Sequence, residues 1–449
     1  MSRVRAVLLP AYLFLCLVLG GSTQAAWPNA VLQLLAVAIL IWAALTRDPE
    51  PLPAAGRRLL LIVGGLGLLF IVQLVPLPPG LWQGLPGRDF LAQGYQLLGM
   101  TPPWLPLSLA PYETMATALT LLPPLALLVG LLRLRGWSIE AMCAALLAGA
   151  FVSIMLGILQ VVSGDQGWYF YRRTNLGLAV GAFANANHLA TLMLVALPVL
   201  AAVVAGRWRA AHGPQQRAFA TAIALGAGAV LAAGFLMSRS LAVLLLGPPI
   251  ALATAALVLR LPKRRQTQAL AAAGLMVALA VAAIALFGRD LPTWGANASV
   301  GTRMEYWSKS MRVVGDHGLT GAGLGTFEVI YPHYENPERV QEFYANHAHN
   351  DFVEIAVETG LPGLLLLAVF LFWWFGRVRA AWASSGLIEQ KAAAVASAAI
   401  LMHSLFDFPL RMAGISAAMA VLLALLAGAR GSLPDQASRE GKEPRHATL

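Results

Sequence analysis

Charge is what this sequence has least of. Asp, Glu, Lys and Arg make up 12% of its 449 residues, about half the roughly 25% usual in soluble domains. Set beside 58% hydrophobic residues, that scarcity excludes a string of soluble domains. Cysteine is nearly missing too: Cys16 and Cys143 both fall inside apolar runs, so no disulfide framework follows from them. The apolar runs also lack the alternation of a barrel wall, which leaves helices as the spanning structure. No repeat of about 20 to 50 residues is visible. The glycine-rich run Gly321 to Gly325 follows no predicted strand, so it is read as a tight bend and not as a dinucleotide fingerprint.

What is present is about twelve apolar runs, at 6–21, 27–45, 59–77, 114–132, 139–163, 183–205, 218–237, 241–259, 269–287, 361–376, 392–406 and 412–429. Most have the roughly 17 to 25 residues that a helix needs to cross the hydrocarbon core. The expected class is therefore an all-α polytopic membrane protein with about 12 transmembrane helices. With both ends inside, 21 of the 31 Lys and Arg residues fall on the inner side, as the positive-inside rule requires. The net charge of +10 then reflects topology in a membrane lipid environment and gives no reason to expect a nucleic-acid partner. The first 26 residues resemble a signal peptide, but no clean small-x-small site precedes Trp27, so they are read as an uncleaved first span. The chain divides into helices 1–9 (1–287), an outer loop domain (288–360), helices 10–12 (361–430) and a disordered inner tail (431–449). A second outer segment, 78–113, is rich in Pro, Gly and Trp.

The outer side still holds ten basic residues, among them Arg88, Arg172, Arg173, Arg239, Arg303 and Arg411. Arg239 lies in a Ser-Arg-Ser turn barely three residues long between two spans, and Arg411 follows Asp407 and Pro409. Cations at that depth are costly unless paired or facing a wet cavity, so they are candidates to hold phosphate; the competing reading is snorkelling to headgroups. Trp307 follows Arg303 by one helical turn, which suits a sugar-stacking aromatic or an interfacial anchor. In His349-Asn350-Asp351-Phe352, Asp351 reads as a helix cap completed by Glu354, with Gly360 and Pro362 stopping the helix. His347 and His349 precede that cap, where an imidazole can take a proton from a hydroxyl or simply hydrogen-bond. No third ligand stands at metal spacing beside them. Asn185 and Asn187 open the sixth span, and His403 and Asp407 close the eleventh; such amides bind sugars or join helices.

Taken together, the strings HNDFVEIAVETGLPG, GTRMEYW, DHGLTGAGLGTF, GAFANANH, SRS and HSLFDFPLRM closely resemble the O-antigen ligase and polymerase superfamily of bacterial inner-membrane glycosyltransferases. The likeness runs from about Gly181 to Gly363, with the HSLFDFPLRM segment beyond it. It implies a GT-C-like fold that takes a glycan from undecaprenyl pyrophosphate and places it on an acceptor hydroxyl at the periplasmic face, with no nucleotide, metal or other cofactor. By this resemblance His349 is the catalytic residue that orients or deprotonates the acceptor hydroxyl. Arg239 and Arg303, with Arg172 or Arg173, bind the pyrophosphate, and Asn350, Asn185, Asn187, Trp307, His347 and Arg411 stand as sugar or acceptor contacts.

The acceptor separates two activities within that family. Lipid A core makes the protein an O-antigen ligase, the first expectation, and a growing lipid-linked glycan makes it an O-antigen or exopolysaccharide polymerase. A small-solute carrier of the bicarbonate type is the reading from another class. The chain has no inverted repeats, and its polar residues gather on one side instead of at the midplane, which favours surface chemistry.

Overall fold

The computed structural model describes residues 2–23, 26–46, 51–172, 174–259, 261–287, 300–336, 338, 345–383 and 387–429. Arg173, the 288–299 part of the outer loop and the tail beyond Gly431 lie outside the described residues.

Helix dominates because the long apolar runs must satisfy their own backbone groups. In chain order the first helices are α1 (Ser2–Leu19), α2 (Ala26–Leu45) and α3 (Ala54–Leu74), the last entered by Pro53. The Pro-rich segment that follows makes a two-residue antiparallel pair, β1 (Pro76–Leu77) with β2 (Leu105–Pro106), enclosing α4 (Pro79–Trp82) and α5 (Asp89–Leu97). Next come α6 (Pro111–Thr120) and α7 (Leu122–Arg133), one apolar rod interrupted where Pro123 and Pro124 remove donors. α8 (Ile139–Ser163) starts at Ser138, whose hydroxyl accepts from the Ala141 amide at 3.0 Å, and stops at Gly164 in the left-handed region. α9 (Ala186–Ala210), α10 (Pro214–Ser238), α11 (Leu241–Val258) and α12 (Lys263–Phe287) complete the first half.

The second half holds α13 (Val300–His317), the short α14 (Phe327–Ile330), α15 (Asp351–Ala383), α16 (Ile388–His403) and α17 (Ala413–Leu426). Among the described residues nine helices are long and apolar enough to cross a membrane, so the all-α polytopic expectation holds. All twelve expected runs coincide with helix. Three of those helices, however, miss that length or apolarity: the stretches Ala6–Leu19 and Ala413–Leu426 are short, and α16 begins with Glu389 and Lys391.

α9, α16 and α17 form the centre, with α16 against α9, α17 against α7 and α1 against α8. α9 is buried along most of its length, as a helix apolar all round should be. α1 and α17 approach closely through Gly20 and Gly414; a methyl on Gly20 would stand 2.7 Å from the Gly414 amide nitrogen.

One expected stop proves to be a bend. α15 is kinked at Gly360 (φ 56°, ψ −149°), and the chain resumes as helix on the far side. The Leu361 amide donates instead to the Gly318 carbonyl at 2.9 Å, and Pro362 has no amide to lose. A side chain at Gly360 would meet the Gly318 carbonyl oxygen at 2.6 Å, so only glycine lets this loop close. The glycine run is the tight bend expected. Gly321, Gly323 and Gly325 all have positive φ, and the Ala322 and Gly323 amides donate to the Val357 and Glu358 carbonyls at 2.9 Å. Gln73, buried at the end of α3, locks the bend by donating to the Glu358 carbonyl and accepting from the Leu324 amide, both at 2.9 Å.

Candidate functional site

The bend anchors the first turns of α15, and those turns set the position of His349. Asn350 caps α15: its side-chain oxygen accepts from the Phe352 and Val353 amides at 3.0 and 3.1 Å, while its NH2 donates to the Leu405 carbonyl at 2.9 Å. This corrects the assignment of the cap to Asp351, which is the first helical residue. Its carboxylate accepts from the Ser404 hydroxyl at 2.7 Å. Glu354 likewise does not close a capping box. Its two oxygens accept from His347 Nδ1 at 2.8 Å and from the Ala348 amide at 2.9 Å. Asn350, expected as a sugar or acceptor contact, thus has both ends of its amide occupied within the chain.

With residues 347–350 held this way, His349 takes a left-handed conformation (φ 49°). Among the described non-glycine residues the other with positive φ is Arg239, at 47°. Such backbone costs roughly 1–2 kcal/mol for a residue with a side chain and persists only where its surroundings enforce it.

The hub of the site is Asp407, just beyond α16 and fully buried. Its Oδ1 accepts from His349 Nδ1 at 3.3 Å and from the Phe408 amide at 2.9 Å. Its Oδ2 accepts from the Asn187 NH2 at 2.6 Å and lies 3.4 Å from an Arg303 NH2. Asn187 in turn accepts from the Ser240 hydroxyl at 2.7 Å, which ties the Ser238–Arg239–Ser240 turn to the hub. His188 Nε2 stands 3.9 Å from Asp407 without a hydrogen bond. α9, α13 and the segment before α15 thus converge on this one carboxylate, with the turn after α10 joined to it through Asn187.

Phe408 is the apolar counterpart of that hub. Its ring meets His347, His349 and His188 at centroid distances of 4.1, 4.9 and 5.1 Å. On its other side His349 stacks on Tyr306 of α13 at 6.0 Å and 24°. The two aromatic rings fix the imidazole plane. Asp407 fixes its tautomer: with Nδ1–H given to a carboxylate, Nε2 carries the lone pair.

Electrostatics follow from burial. Desolvation lowers the His349 pKa below its ordinary 6.5, against the pull of Asp407 and with help from the Arg303 charge, so the imidazole is neutral at physiological pH. Burial alone would raise Asp407, but the Arg303 charge and the His349 hydrogen bond outweigh it and hold the carboxyl well below the usual carboxylate range. His349 keeps 15% of its side chain exposed while Asp407 has none, so the pair presents imidazole outward and carboxylate inward.

The other site residues expected from sequence fall into three groups. Arg303, 14% exposed, is at the hub, and its Nε is buried without a partner. Arg239 is exposed beside the hub and meets no carboxylate among the described residues. Arg172 is exposed on the loop after the 3-10 turn Gln166–Trp168, with no bond to the hub among the described residues. Asn185 caps α9 by accepting from the Asn187 amide at 2.9 Å, whereas Asn187 itself reaches Asp407. The Trp307 indole N–H is buried without a partner, and it is Tyr306 that faces His349. Arg411 sits among carboxylates, 2.7 Å from Glu358, 3.3 Å from Glu354 and 3.9 Å from Asp351. These three lie on one face of α15. Burial would lower the Arg411 pKa, but Glu354 and Glu358 raise it above its ordinary value, so it is a permanently charged structural tie.

Sequence reasoning missed Asp407 as the centre, along with Ser240, Tyr306 and Phe408. One signal was available: a lone carboxylate closing an apolar run is expensive unless cations or donors meet it.

The sequence model of the O-antigen ligase family matches residues 226–368, the stretch carrying Arg239, Arg303, Tyr306 and His349. The chain is also similar to the exopolysaccharide production protein ExoQ of Rhizobium meliloti (strain 1021), 28% identical over 258 residues, which cover 54% of this chain and 55% of the relative. The chain thus spans about half the length of that curated relative. The family match thus includes His349, Arg303 and Arg239 but not Asn187 or Asp407, and the chain is similar to the O-antigen ligase family over that stretch.

Proposed function

We propose that this protein transfers a glycan from undecaprenyl pyrophosphate to an acceptor hydroxyl at the periplasmic face of the bacterial inner membrane. The observation that carries the reading is the Asp407–His349 pair with Arg303 on the other carboxylate oxygen. His349 Nε2 takes the proton of the acceptor hydroxyl as its oxygen attacks the anomeric carbon, and the bond to the pyrophosphate oxygen breaks in the same displacement, inverting that carbon. Arg303, through N–H groups that Asp407 leaves free, and Arg239 from the adjoining turn neutralise the charge that appears on the departing pyrophosphate. Asp407 stays ionised and stabilises the imidazolium as it forms. No step in this scheme calls on a metal, so the transferase is proposed to be metal-independent.

An apolar cavity of about 560 Å³ between α3, α7, α15 and α17 supports a lipid-linked donor. It runs up to Leu410, three residues from Asp407, and its walls include Leu66, Phe70, Leu367 and Phe370.

Lipid A core is the first acceptor proposed, which makes the protein a ligase. One observation favours a second reading, polymerisation of a lipid-linked glycan: the relative is named for exopolysaccharide production. Transport is the poorer account, because the hub gathers at one end of the helices instead of at their midpoints. Glycan transfer in membranes of a strain lacking its own ligase tests all three. Product ladders on lipid A core from the wild type, reduced by about 10² to 10³ in His349→Ala and Arg303→Ala, are expected for a ligase. Ladders that stay on undecaprenyl pyrophosphate indicate the polymerase, and equal transfer by all three proteins overturns the site.

A further inference from the structure

The end of the bundle remote from Asp407 carries charge for which the transfer site has no use. α9 and α10 both reach the hub at one end, through Asn187 and the Ser238–Arg239 turn. Their other ends lie roughly 35 Å away along the helix axis. There α9 finishes with Arg207, Trp208 and Arg209, α10 begins with Arg217 in its first turn, and α12 begins with Lys263, Arg264 and Arg265. Between Asp165 and Asp290 the sequence contains no acidic residue. No carboxylate on α9, α10, α11 or α12 therefore neutralises this cluster.

α9, α10 and α11 leave space between them. A groove of about 540 Å³ runs along α9, α10 and α11, walled by Leu197, Leu200, Val204, Ala224 and Gly228 and ending at Trp208 and Arg209. Arg209 donates one N–H to the Val258 carbonyl at the end of α11 (3.4 Å), which uses one of its five donors and holds the guanidinium at the groove's end. The Arg217 guanidinium stands 5.2 Å from the centre of the Trp208 ring, so indole and cation are fixed together at the same level. Beside them Arg207 lines a second hollow of about 430 Å³ with Gln215, Gln216 and Phe219. Apolar walls that end in an aromatic ring and several uncompensated guanidinium groups match a molecule with a long hydrocarbon part and an anionic head.

We propose that this groove binds an anionic phospholipid, one acyl chain lying between α9, α10 and α11 and the phosphate held by Arg209 and Arg217. A zwitterionic lipid is disfavoured because no carboxylate lines the groove among the described residues to receive its ammonium group. The alternative is that the arginines mark only membrane orientation, with the charge spread over a surface and no site beneath it. The two differ in whether the groove matters. Gly228 is the position that separates them: it lines the groove and a Cβ there meets nothing within 4 Å, so Gly228→Phe starts from open space and fills the groove.

The full-length protein is reconstituted in nanodiscs of equal parts phosphatidylethanolamine and phosphatidylglycerol, released into detergent, and its retained lipid identified by native mass spectrometry. Phosphatidylglycerol is expected to be retained in preference, with retention falling about fivefold for each of Arg209→Ala and Arg217→Ala and to background in Gly228→Phe. A photoactivatable phosphatidylglycerol carrying its reactive group on the acyl chain adds a measurement on the unmutated protein; its label is expected on peptides of α9, α10 and α11. No preference in the wild type, preference retained by Gly228→Phe, or label spread evenly over the lipid-facing helices each overturns the proposal.

Discussion

His349 and Asp407 divide one task between two environments. The imidazole is partly open and neutral; the carboxylate is sealed and charged. Replacing Asp407 with Asn keeps the shape but removes the charge that balances Arg303 and one of the two acceptor oxygens, so that an NH2 group faces donors from His349 or from Asn187 and Arg303. Transfer by Asp407→Asn is expected to fall by about 10² to 10⁴ per folded molecule, measured by product ladder on protein whose folded fraction is read by gel filtration. The depressed pKa of His349 gives a pH dependence whose sign can be worked out. In the proposed mechanism neutral imidazole is the active form, so transfer is expected to hold at and somewhat below pH 6.5 and to decline as pH falls through the lowered value. The folded protein prefers the neutral ring, so protonation costs no stability above pH 6.5 and progressively more below it. A pH–rate profile with its acid limb at or above 6.5 contradicts this. Arg239 gives a prediction of opposite sign for stability and activity. Its side chain is exposed and its backbone left-handed, so Arg239→Gly is expected to stabilise the protein by about 1 kcal/mol while lowering transfer, read from thermal unfolding and ladders on the same preparation.

At the scale of elements, α15 shows how local sequence and tertiary demand combine. Its first turns were legible as a helix start, because polar capping residues precede an apolar run. Which residue caps was not legible: Asn350 and Asp351 are both competent caps, and the choice rests on Ser404 and Leu405, over fifty positions away, which claim the Asp351 carboxylate and the Asn350 NH2. The acidic face of α15 depends on Arg411 in the same way. Removing Arg411 leaves Glu354 and Glu358 buried without their cation, so Arg411→Ala is expected to cost about 3–5 kcal/mol. It should appear as loss of folded protein in detergent, and a variant that is folded but inactive would instead return Arg411 to the substrate contacts. The bend at Gly318–Gly325 supports this element from outside, linking α13, which carries Arg303 and Tyr306, to the kink at Gly360.

Across the whole molecule, the hub and the basic ends of α9, α10 and α12 lie at opposite ends of the helices. If the basic end faces the cytoplasm, single cysteines placed at Asn336 and Gln216 report different compartments. A membrane-impermeant maleimide on intact spheroplasts is expected to label the first and not the second, against a background in which Cys16 and Cys143 are buried. The reverse pattern would place the hub on the cytoplasmic side and remove the basis for periplasmic transfer.

The sequence by itself determined the class of the protein, the position of its apolar helices and the charge contrast between their ends, because each depends on residues near one another in the chain. It also carried three of the groups at the hub, His349, Arg303 and Asn187. Only the tertiary structure decided that Asp407 is what joins them. The bonds from Asp407 to His349, Arg303 and Asn187 span 58, 104 and 220 positions, and no periodicity or local motif encodes a contact at that range. The reason is physical: a buried carboxylate is tolerable only where donors from several helices meet it, and which helices meet is settled by their packing.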